Sequence, residues 1–176
     1  MPHRSAGFSL IELLATTVIA ALVTGAALPS VSRFIEQRHA ASAVSALTAH
    51  MQLARMAAIT RNHRTVLCPS ADGSQCLSGS DWSGGWILFA DDDGNRRPDS
   101  REDILRQEQE PTSRHLRIIS SDGRQQLRYL PDGSSAGSNL SLAICTPDGA
   151  LLARVIVNNA GRPRSERASP GALCPV

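Results

Sequence analysis

Hydrophobic and polar positions divide the sequence into three parts with different periodicities. Residues 8–28 form an apolar run in which Glu12 is the only charged residue. As a helix this run would span about 31 Å, enough to cross a hydrocarbon core of roughly 30 Å. We therefore expect a membrane-spanning helix at 8–28, an amphipathic continuation of that helix at 29–62, and a β-rich head at 63–176.

Beyond the apolar run, hydrophobic residues recur at intervals of three or four, which places them on one face of a helix. They are Val31, Phe34, Ile35, Val44, Leu47, Met51, Ala54 and Ala58. A polar stripe accompanies them at Ser45, Thr48, Gln52 and Arg55. The pattern predicts a helix that ends near Arg61 and Asn62. Pro29 cannot donate a backbone hydrogen bond, so a kink or local unwinding is expected there.

The rest of the chain has the pattern of short strands separated by turns. Runs rich in apolar residues occur at 65–68, 86–90, 104–108, 116–120, 127–130, 140–146 and 151–158. Asp-Gly pairs, which favour tight turns, lie between them at 72–73, 122–123, 132–133 and 148–149. The expected fold class is α+β, with one long N-terminal helix packed on an antiparallel sheet.

Composition is compatible with a single globular domain beyond the apolar run. The chain that follows Leu28 is long enough to bury a core, and with aromatic residues at 3% aliphatic side chains must fill it. The 18 basic residues are all arginine, and 16 acidic residues leave a net charge of +2. So small a net charge does not indicate a function, and only local clusters of charged residues can indicate one.

The most specific signal lies where the short leader meets the apolar run. The leader at 1–7 contains Arg4, and the sequence then reads Gly7-Phe-Ser-Leu-Ile-Glu12. A secretory signal would place its cleavage site after the apolar run, whereas here the plausible cut precedes it, at Gly7-Phe8. A carboxylate at Glu12 is costly in lipid, and a new α-amino group on Phe8 has the charge to neutralise it.

This segment resembles the prepilin signal of type IV pilins and type II secretion pseudopilins. The resemblance implies cleavage by a prepilin peptidase and N-methylation of Phe8. It also implies that Glu12 pairs with the amino terminus of a neighbouring subunit, in a filament whose core is built from the apolar helices. The expected location is the inner membrane of a Gram-negative bacterium, with a periplasmic head, followed by assembly with major and minor pilins into a pilus.

All the cysteines lie beyond the apolar run, at Cys68, Cys76, Cys145 and Cys174. Arg4 in the leader favours a cytoplasmic amino terminus, which places the head in an oxidising compartment. Two disulfides are therefore expected. Several pairings are possible, and proximity favours Cys68 with Cys76 and Cys145 with Cys174. A zinc site is the competing interpretation, but the sequence has neither C-x2-C spacing nor an accompanying pair of histidines.

Motifs within the head narrow the family. They are Trp82-Ser-Gly-Gly-Trp86-Ile-Leu-Phe89, Asp93-Gly-Asn95, Leu130-Pro-Asp-Gly133 and Gly161-Arg162. Together they resemble the GspH/FimT family of minor pilins and pseudopilins over nearly the whole chain. Since Trp86 lies in an apolar strand pattern, both tryptophans are expected to be core and turn anchors rather than a binding platform.

An arginine cluster follows the last predicted strand. Gly161-Arg162-Pro163-Arg164 matches the Gly-Arg-x-Arg motif that is linked to DNA binding in the FimT-like minor pilins. The resemblance implies that Gly161 gives a turn its backbone freedom and that Arg162 and Arg164 contact phosphates. Arg167 adds to what is expected to be an arginine-rich C-terminal loop. Four more arginines could widen the surface: Arg114, Arg117, Arg124 and Arg128.

The chemistry of these residues is consistent with that role. A guanidinium is always charged and presents forked donors that fit phosphate, and each neutralised phosphate releases counterions. In an extended segment Arg162 and Arg164 lie on one side, and Pro163 limits the entropy lost on binding. We expect sequence-tolerant DNA binding that serves uptake in natural transformation. The alternatives are a solvated basic tail, or a structural pseudopilin of a type II secretion system without DNA binding.

Metal and catalytic interpretations are weak. A calcium loop is suggested by Asp91, Asp93, Asn95 and Glu102, but Arg96 replaces the glycine that such a loop requires. A turn with solvated carboxylates is expected instead. No nucleophile motif stands near the histidines that would be considered for catalysis, His50, His63 and His115. We therefore expect no metal, no cofactor and no enzymatic activity.

Overall fold

A computed structural model describes residues 9–109, 116–121, 123–137 and 139–175, without the side chains of residues 26–30 and 33. The chain forms two compact units, Met1–Ile35 and Glu36–Val176. The second unit contains every buried hydrophobic side chain of the described residues, the first of which is Ala40. It therefore has a core of its own.

Helix α1 spans Leu10–Arg61. At its start the Ser9 side-chain oxygen accepts a hydrogen bond from the Glu12 backbone N–H at 3.3 Å. It ends where the sequence predicts, since Asn62 has a φ of +54°. The helix continues through Pro29, so the expected local unwinding there is wrong. A proline removes only its own hydrogen bond, whereas unwinding would release several.

The apolar part of α1 exposes large side chains, among them Leu10, Ile11 and Leu22. Within the part of the chain that the structure describes, no helix is both long enough and apolar enough to cross a membrane. The predicted membrane-spanning segment begins at Phe8, which lies outside the described residues together with the leader at 1–7.

Within the described residues, eight strands form two antiparallel sheets of four strands each. The first sheet has the order β3-β2-β1-β5 and comprises β1 Thr65–Pro69, β2 Gly85–Ala90, β3 Ile104–Gln109 and β5 Leu127–Tyr129. The second has the order β4-β6-β7-β8 and comprises β4 Arg117–Ser120, β6 Leu140–Cys145, β7 Leu151–Val157 and β8 Pro163–Arg167. A 3-10 turn at Arg101–Asp103 leads into β3.

The main core lies between the second half of α1 and the inner faces of both sheets. The helix contributes Ala40, Ala43, Leu47, Met51, Ala54 and Ala58. Both predicted anchors, Trp82 and Trp86, are fully buried in this core. Small helix residues let the backbone approach the sheets closely, and the few large aromatic side chains fill the remaining volume. The predicted α+β fold is confirmed.

Seven of the strands coincide with the predicted runs to within two residues at each end. The eighth strand, β8, is missing from the sequence-based expectation, which placed an arginine-rich loop there. Its residues Pro163-Arg-Ser-Glu-Arg167 include none of the β-branched or aromatic types that favour strands. Pairing with β7 forms this strand, and so hydrogen bonding to a neighbouring strand overrides its weak propensity.

The structure joins Cys68 to Cys76 and Cys145 to Cys174, the pairing that proximity favours. The first bridge closes a short loop, and the second links positions 29 residues apart. The segment that the second bridge encloses contains both β7 and β8. No cysteine of the chain is free to act as a zinc ligand.

Candidate nucleic-acid interface

The Gly-Arg-x-Arg motif forms the end of the loop and the start of the second strand in a β-hairpin made by β7 and β8. Val157 pairs with Pro163 and Ile156 with Arg164, so residues 158–162 make the connecting loop. The Gly161 N–H donates to the Asn158 carbonyl at 2.8 Å, which closes that loop. The motif is therefore part of the sheet and not of a free tail.

Gly161 is buried and has a φ of +73°, the left-handed conformation that favours glycine. A Cβ at this position would collide with the Gly133 carbonyl oxygen and would lie 3.0 Å from a ring carbon of Tyr129. The same Gly133 oxygen accepts a hydrogen bond from Arg55 Nε on α1 at 2.9 Å. Gly161 thus holds the hairpin loop against the turn at residues 130–133.

The hairpin has two faces of different character. Side chains of directly paired residues share a face, so Arg164 lies on the same side as Ile156. The alternate residues of β7, Val155 and Val157, are fully buried in the core. Arg164 therefore lies on the outer face of the second sheet, away from the core, where it is exposed.

Strand alternation also separates the predicted arginines. Glu166 pairs with Arg154 and shares the outer face with Arg164. Arg167 pairs with Ala153, which belongs to the core side, so Arg167 leaves the strand on the opposite face. Arg162 is exposed in the loop just before β8. The predicted DNA-binding arginines therefore do not all lie on one face. Arg154, which points outward from β7, lies on the same face as Arg164.

A carboxylate lies within the basic surface. Arg164 Nε is 3.3 Å from Glu166 Oε1, and the two side chains are 67% and 50% exposed. Ion pairs at such exposure contribute little because water competes for both partners. Glu166 therefore lowers the local positive charge without fixing Arg164 in place.

The C-terminal tail ties the far end of the hairpin to the sheet. The Leu151 N–H donates to the Ala172 carbonyl, and the Cys174 N–H donates to the Gly149 carbonyl, both at 2.9 Å. Cys174 is bonded to Cys145 and packs with Ala143, Leu151 and neighbouring tail residues in a small apolar cluster. The hairpin is thereby held along both of its ends.

The other predicted residues lie elsewhere. Arg117 pairs with Cys145 and lies at the far strand of the second sheet. Arg124 and Arg128 line a separate cleft beside the first sheet. Arg114 lies outside the described residues, as do the predicted cleavage and methylation positions Gly7 and Phe8.

Among the histidines and acidic residues considered above, His50 and Asp91 have structural surroundings, and His115 lies outside the described residues. His50 Nδ1 accepts a hydrogen bond from Trp86 Nε1 at 2.8 Å, and burial lowers the pKa of His50. Asp91, expected to be solvated, is buried, and its carboxylate accepts a hydrogen bond from the Arg96 N–H at 2.9 Å. Within residues 9–109, 116–121, 123–137 and 139–175, no group of three or more His, Cys, Asp or Glu residues is placed to hold a metal ion.

Two family models match the sequence. The model of the family described as type II transport protein GspH matches residues 43–161, more than half of the chain. The prokaryotic N-terminal methylation motif matches residues 2–28. No curated protein matches the sequence significantly.

The fold is similar to those of solved pilin-like proteins. The type IV minor pilin FimU of Pseudomonas aeruginosa (strain PAO1) has a TM-score of 0.57 in one crystal form, at 20% identity over 80% of this chain and 96% of that chain. In a second crystal form the TM-score is 0.53, at 21% identity over 74% and 97% of the two chains. The minor pseudopilin EpsH of the Vibrio cholerae type 2 secretion system has a TM-score of 0.49, at 16% identity over 73% and 95%.

Proposed function

The chain belongs to the GspH family of type II transport proteins, and we propose that it is a minor type IV pilin that binds DNA through the β7–β8 hairpin. Membership in this family of pilins and pseudopilins implies processing by a prepilin peptidase, anchoring in the inner membrane and assembly with other pilins. The proposed role is the capture of extracellular DNA for uptake in natural transformation.

The observation that carries the proposal is the display of the arginines. Arg162 and Arg164 are exposed on a hairpin that is held by Gly161 at its loop and by the Cys145–Cys174 bridge at its other end. A held segment loses less conformational entropy on binding than a free tail does. The outer face also brings Arg154 beside the motif.

The proposed mechanism is electrostatic capture. Guanidinium groups neutralise phosphates and release counterions, which gives affinity that does not depend on base sequence. A single hairpin with two or three arginines binds weakly. Several subunits in a filament, or a partner pilin, would add avidity and make capture effective.

The test is a DNA titration of residues 36–176, the unit that contains the core. We expect saturable binding to duplex DNA that weakens steeply with salt. The Arg162→Gln/Arg164→Gln variant should bind DNA at least about tenfold more weakly. The slope of log affinity against log salt concentration should become less steep by about two. Fluorescence anisotropy across a salt series measures both quantities.

Two variants serve as controls for that titration. Arg106→Gln removes an exposed arginine from β3 in the other sheet and should change affinity by less than about twofold. Glu166→Gln removes the carboxylate beside Arg164 and should tighten binding at low salt. Binding that all three variants leave equal, or that is absent in the folded unit at low salt, would refute the assignment.

The family description itself favours one alternative, a structural pseudopilin of a type II secretion system. In that role the outer face of the β7–β8 hairpin contacts another pseudopilin or a cargo protein. The two functions separate in the same titration, since only the DNA-binding role requires salt-dependent affinity for nucleic acid.

We also propose that Glu12 acts in assembly. It lies exposed in the first turn of α1, within the apolar part of the helix. A carboxylate in hydrocarbon requires a partner of opposite charge, and the methylated amino terminus of a neighbouring subunit would supply it. Glu12→Gln should therefore reduce incorporation into filaments by about tenfold or more, with membrane insertion unchanged.

Immunoblots of sheared filaments and of the membrane fraction measure that effect. Glu36→Gln is the matched control, because Glu36 lies in the same helix beyond the apolar run. It should assemble as the parent does. Normal incorporation of the Glu12→Gln protein would remove the pairing role.

A further inference from the structure

An open cleft of about 530 Å³ lies beside the first sheet, apart from the β7–β8 hairpin. We name it the arginine cleft. Its charged lining residues are Arg96, Arg97, Arg124 and Arg128. Asn95, two glutamines, two glycines and an alanine complete the lining, so no carboxylate of the described residues faces it. The four positive charges repel one another, and a bound anion would relieve that repulsion.

Arg124 is the buried centre of the arginine cleft, with 7% of its surface exposed. Its Nη2 donates to Ser135 Oγ at 2.7 Å and to the Ala136 carbonyl at 2.6 Å. The guanidinium also lies against Gly137, where a Cβ would be 3.7 Å from its central carbon. These contacts fix the plane and direction of the group.

Two hydrogen-bond donors on the arginines that line the cleft lack a partner in the described part of the chain. Arg124 Nη1 and Arg128 Nε are buried, and neither has a hydrogen-bond partner among the described residues. An unpaired buried donor on a charged group is costly, and a bound anion is one species that would satisfy it. Burial and the nearby charge of Arg128 lower the pKa of Arg124.

We propose that the arginine cleft binds a phosphate group. A phosphate carries close to two negative charges and several tetrahedral oxygens, so it accepts from guanidinium groups that approach from different directions. A planar carboxylate satisfies one fork and would leave the other arginines unpaired. The cleft is larger than a bare phosphate ion and accommodates a phosphate that is part of a larger molecule.

Two sources could supply this chemistry, a small phosphorylated molecule or the backbone of a nucleic-acid strand. The proposal does not depend on DNA binding by the β7–β8 hairpin, because the two sites share no residue. The Arg162→Gln/Arg164→Gln background therefore keeps the two sites distinguishable, and all measurements are made in it.

The experiment is calorimetric titration of the full chain in a non-ionic detergent with inorganic phosphate and with pyrophosphate. We expect one saturable site per chain. Arg128→Gln, which changes a partly exposed residue, should weaken pyrophosphate binding about tenfold. Arg124→Gln should weaken pyrophosphate binding at least as much. If this buried variant does not fold, Arg96→Gln/Arg97→Gln, which changes exposed residues, replaces it and should also weaken pyrophosphate binding. Arg106→Gln should leave binding unchanged.

Competition identifies the source of the phosphate. If a single-stranded oligonucleotide displaces pyrophosphate and Arg128→Gln weakens both, the strand backbone is the ligand. If the oligonucleotide does not displace it, the ligand is a small phosphorylated molecule. The proposal is overturned if neither phosphate nor pyrophosphate saturates a site, if acetate at equal ionic strength competes as well as phosphate, or if Arg106→Gln has the same effect as Arg128→Gln.

Discussion

Gly161→Ala should destabilise the head by about 3 kcal/mol or more. The left-handed φ of +73° alone costs an alanine about 1–2 kcal/mol. Its Cβ would also collide with the Gly133 carbonyl oxygen, a backbone atom that cannot rotate away. Overpacking of this kind adds about 1–3 kcal/mol. Urea unfolding of residues 36–176 measures the loss.

The collision caused by Gly161→Ala would also affect contacts outside the hairpin. The Gly133 carbonyl accepts a hydrogen bond from Arg55 on α1, so its displacement would weaken a contact between the helix and the turn. The Ser135 N–H donates to the Asn159 carbonyl at 2.9 Å, a second link between this turn and the hairpin loop. We therefore expect reduced DNA binding by the molecules that remain folded.

Gly149→Ala is the matched control for this prediction. Gly149 also has a left-handed φ, of +88°, but no atom lies within 4 Å of a Cβ built there. Its alanine variant should lose only the conformational part, about 1–2 kcal/mol. Equal losses in the two variants would show that close packing against Gly133 does not hold the loop.

Removal of the Cys145–Cys174 bridge should cost about 3–4 kcal/mol, because the bridge closes a long loop of the unfolded chain. Cys145→Ala/Cys174→Ala should also loosen the tail that pairs with β7. The amide protons of Leu151 and Cys174, which bond across this contact, should then exchange faster with solvent. Urea unfolding measures the loss of stability, and hydrogen exchange measures the loosening of the tail.

Cys68→Ala/Cys76→Ala provides the comparison, since that bridge spans 8 positions instead of 29. The shorter loop predicts a smaller loss, about 2–3 kcal/mol, without faster exchange at Leu151. If the two pairs of substitutions cost the same and exchange at Leu151 stays slow in both, the tail contact does not depend on its disulfide. The bridge would then have no part in displaying the arginines.

Strand β8 shows which features of the candidate site the sequence predicts and which only the structure reveals. The sequence located the motif and the turn glycine from local chemistry. It could not reveal a strand whose residues have low strand propensity, because that strand depends on pairing with β7 and not on its own residue types. The strand in turn decides that Arg164 faces outward and that Arg167 does not.

The sequence by itself determined the elements with strong periodic signals. The apolar run with Glu12, the end of the helix near Arg61, seven strands, the two disulfides and the buried tryptophans all follow from local spacing and composition. Each of these signals arises from residues close together in the chain, or from the few pairings that four cysteines allow.

Only the tertiary structure decided which distant residues meet. It placed Arg154 on the same face as Arg164, packed Gly161 against Gly133, and gathered Arg96 and Arg124 in one cleft. Strand register sets the first of these arrangements, and loop packing between segments far apart in the sequence sets the other two. A spacing rule along one segment carries no information about register between segments, which is why the binding surfaces emerge only when the chain is folded.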